Sequence, residues 1–209
     1  QVGILQVPPV LVNRDSFFGR LLQFSSALYG NVFRSGFSLW ARSEGNYWGH
    51  NSILRIEPFM QCCGLPHLPG PPPWGGSILS HDFVEAALMV SAGWKVLVAN
   101  DLAGSYEECP SNLIDFAKRD QRWCQGNLQH LRIMFAPGLH PLSRAHFGIG
   151  VMSYLASPLW MALILLGIIA GAAFLPGRDA AVTDPAALRL YAFTILLLLA
   201  PRLWAFLLL

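Results

Sequence analysis

The chain has 209 residues, of which 54% are hydrophobic and 12% are charged, and its formal net charge is +2. Such an apolar composition does not suit an ordinary soluble domain and indicates a soluble part joined to a membrane part. The small net charge and the lack of a basic run argue against a nucleic-acid-binding protein.

The first 140 residues alternate between strand-like and helix-like segments. Residues 2–7 form a short β-like run, residues 17–29 carry apolar side chains at helical spacing, and residues 52–56 again resemble a strand. A loop rich in Pro and Gly, residues 65–76, follows. This alternation predicts an α/β domain with a largely parallel sheet, whose ligands gather at the carboxyl ends of the strands.

A helix is predicted from about His81 to Ala92, with Ser80 as its cap and Gly93 at its end, and residues 94–98 predict the next strand. Asp82 falls in the first turn of this helix, where a carboxylate can simply stabilise the helix dipole. It is also a candidate general base for an inverting sugar transfer. Such a reaction needs one carboxylate to take the proton of the attacking hydroxyl.

Arg119, Arg122 and Trp123 form a candidate binding group. The two arginines are three residues apart and would share one face of a helix. Arginine binds phosphate oxygens in a bidentate manner and tryptophan can stack on a sugar ring, so the group suits a sugar nucleotide whose diphosphate departs. A solvated basic face is the alternative interpretation.

The turn before the strand at 52–56 combines aromatic and polar side chains around a glycine. Such a turn suits contacts to carbohydrate, and ordinary turn packing is the alternative interpretation. Its residues are Tyr47, Trp48, Gly49, His50 and Asn51.

An uncharged apolar run covers residues 147–177. Within it, residues 149–174 are long enough to cross the roughly 30 Å hydrocarbon core as one helix, whereas a buried core helix would normally be shorter. Pro158 lies inside this span, where a neighbouring helix can satisfy the carbonyl that it frees. A second apolar region at about 188–209 is interrupted by Pro201, and we interpret it as a truncated helical region.

The chain is therefore divided into the C-terminal part of a soluble domain, residues 1–140, and a membrane region, residues 141–209. The apolar end of the sequence and the lack of a signal peptide lead us to expect a piece of a longer protein. No C-x-x-C pair occurs among the four cysteines, so reduced thiols and no zinc site are expected. Cationic side chains precede the first span and predict that the soluble domain is cytoplasmic. They are Lys118, Arg119, Arg122, Arg132, Arg144 and His146.

Four segments resemble the processive family 2 glycosyltransferases, relatives of cellulose synthase, and especially the branch that builds osmoregulated periplasmic glucans. They are residues 47–53, 77–89, 104–108 and 119–128. The resemblance implies the C-terminal part of a GT-A-type, Rossmann-like domain followed by transmembrane helices. It also implies a multi-pass hexosyltransferase of the bacterial inner membrane that transfers glucose from UDP-glucose to a growing β-1,2-linked glucan with inversion. The implied partners are UDP-glucose, the glucan acceptor, membrane lipid and periplasmic glucan-processing proteins.

The resemblance also assigns residues. Asp82 matches the aspartate of the family's Thr-Glu-Asp motif, which reads Ser80-His81-Asp82 here, and is implied to be the base. The Arg-Trp pair matches the Gln-x-x-Arg-Trp motif, in which Arg119 replaces the Gln. The residues expected to bind substrate are Arg119, Arg122, Trp123, His81, Trp48, Gly49, His50 and Asn51.

The family implies a divalent metal, Mg²⁺ or Mn²⁺, held by an Asp-x-Asp motif. This sequence has no such motif. We therefore expect the metal ligands to precede Gln1, and we expect this piece alone to bind no metal and to be inactive. Two alternative functions stay open at this point: another processive synthase of the cellulose, chitin or hyaluronan type, and a non-catalytic sugar-binding membrane scaffold or transporter.

Overall fold

The computed structural model describes residues 1–174 and 185–207. The chain forms two compact units, Gln1–Tyr154 and Leu155–Leu209. The first contains every candidate site residue, and the second consists of apolar helix in its described part. The predicted division at residue 140 lies next to the start of a long helix at Pro141 and stays a prediction.

A three-stranded sheet organises the first unit. Its central strand β1, Val2–Gln6, pairs in parallel with β4, Lys95–Val98, and antiparallel with β3, Ser52–Leu54. A second, two-stranded sheet joins β2, Val10–Leu11, in parallel with β5, Tyr106–Glu107. The prediction of a largely parallel sheet therefore needs correction, because the sheet is mixed. The segment ahead of β3 reaches the carboxyl end of β1, so β3 must run back along it.

Four helices complete the first unit before residue 141: α1, Phe17–Ala41; α2, Ile56–Cys62; α3, His81–Ser91; and α4, Leu113–Ile133. Helix α1 continues well past the predicted end at residue 29, and α2 was not predicted. Helix α3 has the predicted bounds to within one residue at its end, and Gly93 follows it with a φ of +85° that suits glycine. Ser80 is the N-cap residue of α3, as predicted, but its side chain makes no capping hydrogen bond.

Helix α3 contributes side chains to two core clusters, and these clusters hold it in place. One face packs with β1 and β4 through Met89, Ile4 and Val96, all fully buried. The other face contributes Val84 to a cluster with Phe147. Fully burying side chains of this size stabilises a fold by about 1.5–3 kcal/mol each, so α3 is held firmly against the sheet.

Two further helices are strongly apolar: α5, Pro141–Phe174, and α6, Pro185–Leu207. Over Pro141–Ile169, α5 is long and apolar enough to cross a membrane, with a mean hydropathy of 1.9. No residue between 152 and 169 is buried. In the part of the chain that the structure describes, α5 alone meets this test, and α6 contains a shorter apolar stretch, Leu188–Leu197. The polar break between the two predicted apolar regions lies largely outside the described residues.

Candidate active site

Asp82 is the second residue of α3, and its carboxylate is partly buried. Burial raises the pKa of Asp82 above its ordinary value, and the nearby Glu85 carboxylate raises it further. Hydrogen bonding to the backbone N–H of Phe83 and the proximity of His81 act in the opposite direction without cancelling the effect of burial. Asp82 is therefore a carboxylate whose affinity for a proton exceeds that of an exposed one.

The turn at residues 48–51 reaches this carboxylate through Gly49. A Cβ added to Gly49 would lie 3.5 Å from Asp82 Oδ2, so backbone alone faces the carboxylate at this point. The φ of Gly49 is +80°, a conformation that glycine adopts readily and other residues rarely adopt. The sequence places these two residues in different segments, and the structure brings them together.

Gln6, the last residue of β1, holds this turn in place. Its side chain is fully buried. Its Oε1 accepts a hydrogen bond from the backbone N–H of Trp48 at 2.9 Å, and its Nε2 lies 3.0 Å from the carbonyl oxygen of His50 and 3.2 Å from those of Asn51 and Val7. Sequence reasoning missed Gln6, because a single glutamine at the end of an apolar run carries no signal of these distant partners.

The same turn is also bonded to the segment that carries β5. Asn51 Nδ2 donates to Ser105 Oγ at 2.8 Å and to the carbonyl of Tyr106 at 3.2 Å. The His50 ring is exposed, and its Nε2 lies 3.9 Å from Glu107 Oε1. Three of the four segments that carry the family resemblance therefore meet around Asp82 and the turn.

His81 and Trp48, two further predicted substrate contacts, make few hydrogen bonds with other side chains of the site. His81 is exposed, and its Nδ1 lies 3.1 Å from Glu85 Oε1 on the next turn of α3. The Trp48 side chain is partly buried and makes no hydrogen bond to any described residue, although its backbone is bonded to Gln6.

Arg119, Arg122 and Trp123 share one region of α4. The guanidinium of Arg119 lies over the Trp123 ring, 4.5 Å from its centroid, and 5.9 Å from the centroid of Phe116. Arg122 is exposed, and no described residue forms an ion pair or a hydrogen bond with it. The predicted helical arrangement is confirmed, and Arg122 is available to an anion from solution.

Helix α4 also contacts the start of α3 directly. Gly126 lies against Ser80 so closely that an added Cβ would stand 2.2 Å from Ser80 Oγ. One turn later, the buried Gln129 accepts a hydrogen bond from the backbone N–H of Leu79, and His130 Nε2 donates to the carbonyl of Ser80, at 3.0 and 3.1 Å. Sequence reasoning missed all three α4 residues, although they continue at helical spacing from Arg122.

Asp120 belongs to the same sequence motif, but its side chain lies on another face of α4. Its Oδ1 accepts a hydrogen bond of 3.0 Å from the Tyr154 hydroxyl, at the side of a groove of about 460 Å³. Cys124 and Gln125 line this groove as well. Asp120 is thereby engaged away from the contact between α4 and the start of α3.

A metal ion does not fit the side chains that the structure describes. Among residues 1–174 and 185–207, no three His, Cys, Asp or Glu side chains come together as a group that could hold one. All four cysteines are free thiols, as predicted.

Comparison with known proteins identifies the family of this chain. The profile of the glycosyl transferase family group 2 matches residues 1–209. The glucans biosynthesis glucosyltransferase H of Vibrio cholerae serotype O1 is 56% identical over 167 residues, which cover 80% of this chain and 23% of that protein. The protein of the same name from Shewanella oneidensis is 48% identical over 220 residues, covering 99% of this chain and 30% of that protein. The chain thus spans less than a third of the length of these curated relatives, and it belongs to the glycosyl transferase family group 2.

Proposed function

We propose that this chain is part of a membrane glucosyltransferase that transfers glucose from UDP-glucose to a growing β-glucan, the β-1,2-linked backbone of osmoregulated periplasmic glucans. One observation carries the proposal: Asp82 presents a partly buried carboxylate of raised pKa to a glycine backbone instead of to a side chain. The names of both relatives support a glucosyltransferase of glucan biosynthesis.

Asp82 is the general base in this proposal. An acceptor hydroxyl that lies against Gly49 gives its proton to Asp82 while its oxygen attacks the anomeric carbon of the donor. The new carbon–oxygen bond forms on the face opposite the breaking bond to the diphosphate, so the configuration inverts and UDP leaves. A base works best when its pKa lies near the operating pH, and burial moves Asp82 in that direction.

Arg122 stabilises the departing diphosphate. Its guanidinium has no described partner and can bind two phosphate oxygens at once. Stabilising charge that develops on a leaving group is among the largest contributions to catalysis. We assign Arg119 a supporting role, because its guanidinium is packed over Trp123.

Trp123 and the turn at residues 48–51 bind the acceptor sugar. Trp123 is 44% exposed although the Arg119 guanidinium lies over its ring, so a sugar can stack on the part of the ring that Arg119 leaves open. His50 and Trp48 can contact sugar hydroxyls from the turn, whereas the amide of Asn51 is already bonded within the protein. His81 is exposed beside Asp82 and completes the proposed substrate contacts.

The proposed enzyme lies in the bacterial inner membrane with several spans and a cytoplasmic catalytic domain. The apolar helix α5 and the cationic residues before it support this placement. In this proposal the divalent metal of the family binds to the larger part of the protein that this chain does not span, since the described residues include no group of three metal-binding side chains.

The reaction is tested with the complete reading frame that contains this sequence. Membranes that carry it are supplied with labelled UDP-glucose or UDP-N-acetylglucosamine, and the polymer is analysed for linkage. The proposal expects β-1,2-linked glucan from UDP-glucose alone. A β-1,4-linked product or use of the N-acetylated donor would instead indicate another polysaccharide synthase, and no incorporation from either donor would indicate a binding or transport protein.

A further inference from the structure

The Gln6 side chain is buried and makes hydrogen bonds to several backbone groups, although it lies outside the proposed catalytic group. Its side chain has no exposed surface, yet the amide is satisfied: its oxygen accepts from the backbone N–H of Trp48, and its nitrogen faces the carbonyls of Val7, His50 and Asn51. An unsatisfied buried amide is strongly unfavourable, so these contacts define where the turn can lie.

The position of the turn determines which group lies next to the Asp82 carboxylate. Gly49 lies between two of the groups bonded to Gln6 and is the turn residue that faces the carboxylate, with its Cβ position 3.5 Å from Oδ2. Asn51, at the other end of the turn, has a φ of +52°. A turn with such backbone angles keeps its shape only when its surroundings impose it.

We propose that Gln6 is a positioning residue for glycosyl transfer: by holding the turn at residues 48–51 against Asp82, it keeps the acceptor hydroxyl, and not water, next to the carboxylate. The inference rests on the proposed function. It deepens that function, because it makes the choice between the glucan acceptor and water depend on a side chain at the end of β1.

A purely structural glutamine would behave differently. Its loss would lower the amount of folded enzyme and leave the properties of each folded molecule unchanged. A positioning glutamine affects the reaction itself, because a displaced turn admits water to the anomeric carbon. Water then attacks in place of the acceptor, and UDP-glucose is hydrolysed to glucose and UDP.

The test compares Gln6→Met, which keeps the length and removes the hydrogen bonds, with wild type in the complete enzyme. Ile4→Val is the matched control, since Ile4 is fully buried two residues earlier on β1 and packs in a hydrophobic core cluster. Transfer and hydrolysis of labelled UDP-glucose are measured per folded enzyme. For Gln6→Met we expect a fall of tenfold or more in kcat for transfer, a KM for UDP-glucose within twofold of wild type, and a higher ratio of hydrolysis to transfer.

Equal ratios of hydrolysis to transfer in Gln6→Met and Ile4→Val would overturn the proposal. If Gln6→Met does not accumulate as folded protein, Gly49→Ala decides, because it alters the exposed side of the same turn without touching Gln6. It should also lower kcat for transfer and raise the ratio of hydrolysis to transfer while preserving the KM for UDP-glucose, and an unchanged ratio would overturn the proposal. Transfer of glucose by the wild-type enzyme in the same assay tests the proposed function independently of the result for the variants.

Discussion

Gly49 and Asp82 face each other across the candidate site, with only 3.5 Å between Asp82 Oδ2 and the position that a Cβ of residue 49 would take. Because the contact is made by backbone, no side chain of residue 49 covers the partly buried carboxylate of Asp82. Burial at this site raises the pKa of Asp82. We predict that kcat/KM falls as the pH is lowered through this raised pKa, above the range of an exposed aspartate. A pH profile of initial rates tests it, and a rate that stays constant down to the ordinary pKa of an aspartate, about 3.9, would contradict it.

The same burial predicts a gain in stability when the charge is removed. A carboxyl whose pKa is higher in the folded than in the unfolded chain favours folding below the unfolded pKa, and this contribution is lost as the pH rises through the folded pKa. Asp82→Asn should therefore raise Tm at pH 7 and leave it nearly unchanged at pH 3. A lower Tm at pH 7 would show that the carboxylate is needed structurally.

Gly126 should not tolerate a side chain. In Gly126→Ala the new Cβ would lie 2.2 Å from Ser80 Oγ and 2.6 Å from the Ser80 backbone nitrogen, so α4 and the start of α3 must separate. Overpacking of this kind destabilises by about 1–3 kcal/mol. Gly36→Ala is the control, since an added Cβ there meets nothing within 4 Å, and it should stabilise α1 by up to about 1 kcal/mol. Chemical denaturation of both variants measures the difference, and equal stabilities would refute the close contact.

His130 should make the first unit sensitive to acid. Burial lowers the pKa of His130 to about 4, from 6.5 in its ordinary state. The unfolded chain therefore takes up a proton between these two values and the folded chain does not, so stability falls as the pH drops from 6.5 to 4, by up to about 3 kcal/mol. His130→Gln can still donate a hydrogen bond but does not titrate, and it should show a smaller loss over this range. Equal slopes in the two proteins would rule out His130 as the cause.

Arg122 should matter for the reaction and not for folding. The side chain is exposed and has no described partner, so Arg122→Gln is expected to change stability by less than about 0.5 kcal/mol. The loss of one group that stabilises the leaving diphosphate should lower kcat by about 10²-fold. Lys118→Gln removes an exposed cation one turn earlier on α4 and should leave kcat nearly unchanged. If both variants slow transfer equally, general surface charge and not Arg122 is responsible.

The sequence predicted those parts of the molecule that local pattern controls. The bounds of α3, the strand at 95–98 and the apolar helix around 149–174 follow from the spacing of apolar residues and from Gly93. The position of Asp82 at the start of a helix could also be predicted, because the start of a helix depends on the local sequence.

The sequence did not predict contacts between distant segments. Gln6 bonds to a residue 42 positions away, and Gln129 bonds to one 50 positions away. The missing side-chain hydrogen bond at the N-cap residue Ser80 has the same origin, because this side chain packs against Gly126. Helix α2, of seven residues, is too short for its periodicity to be recognised and is held by the segments around it.

The role of Asp82 as the base is tested most directly by glucose incorporation in the complete enzyme, with Asp82→Asn compared to Glu57→Gln. The control is closely matched, because Glu57 is also the second residue of its helix but is exposed. We predict that Asp82→Asn lowers incorporation from UDP-glucose by at least about 10²-fold while Glu57→Gln retains wild-type activity. Wild-type incorporation by folded Asp82→Asn would contradict the account and leave Asp82 as a partner of the helix dipole.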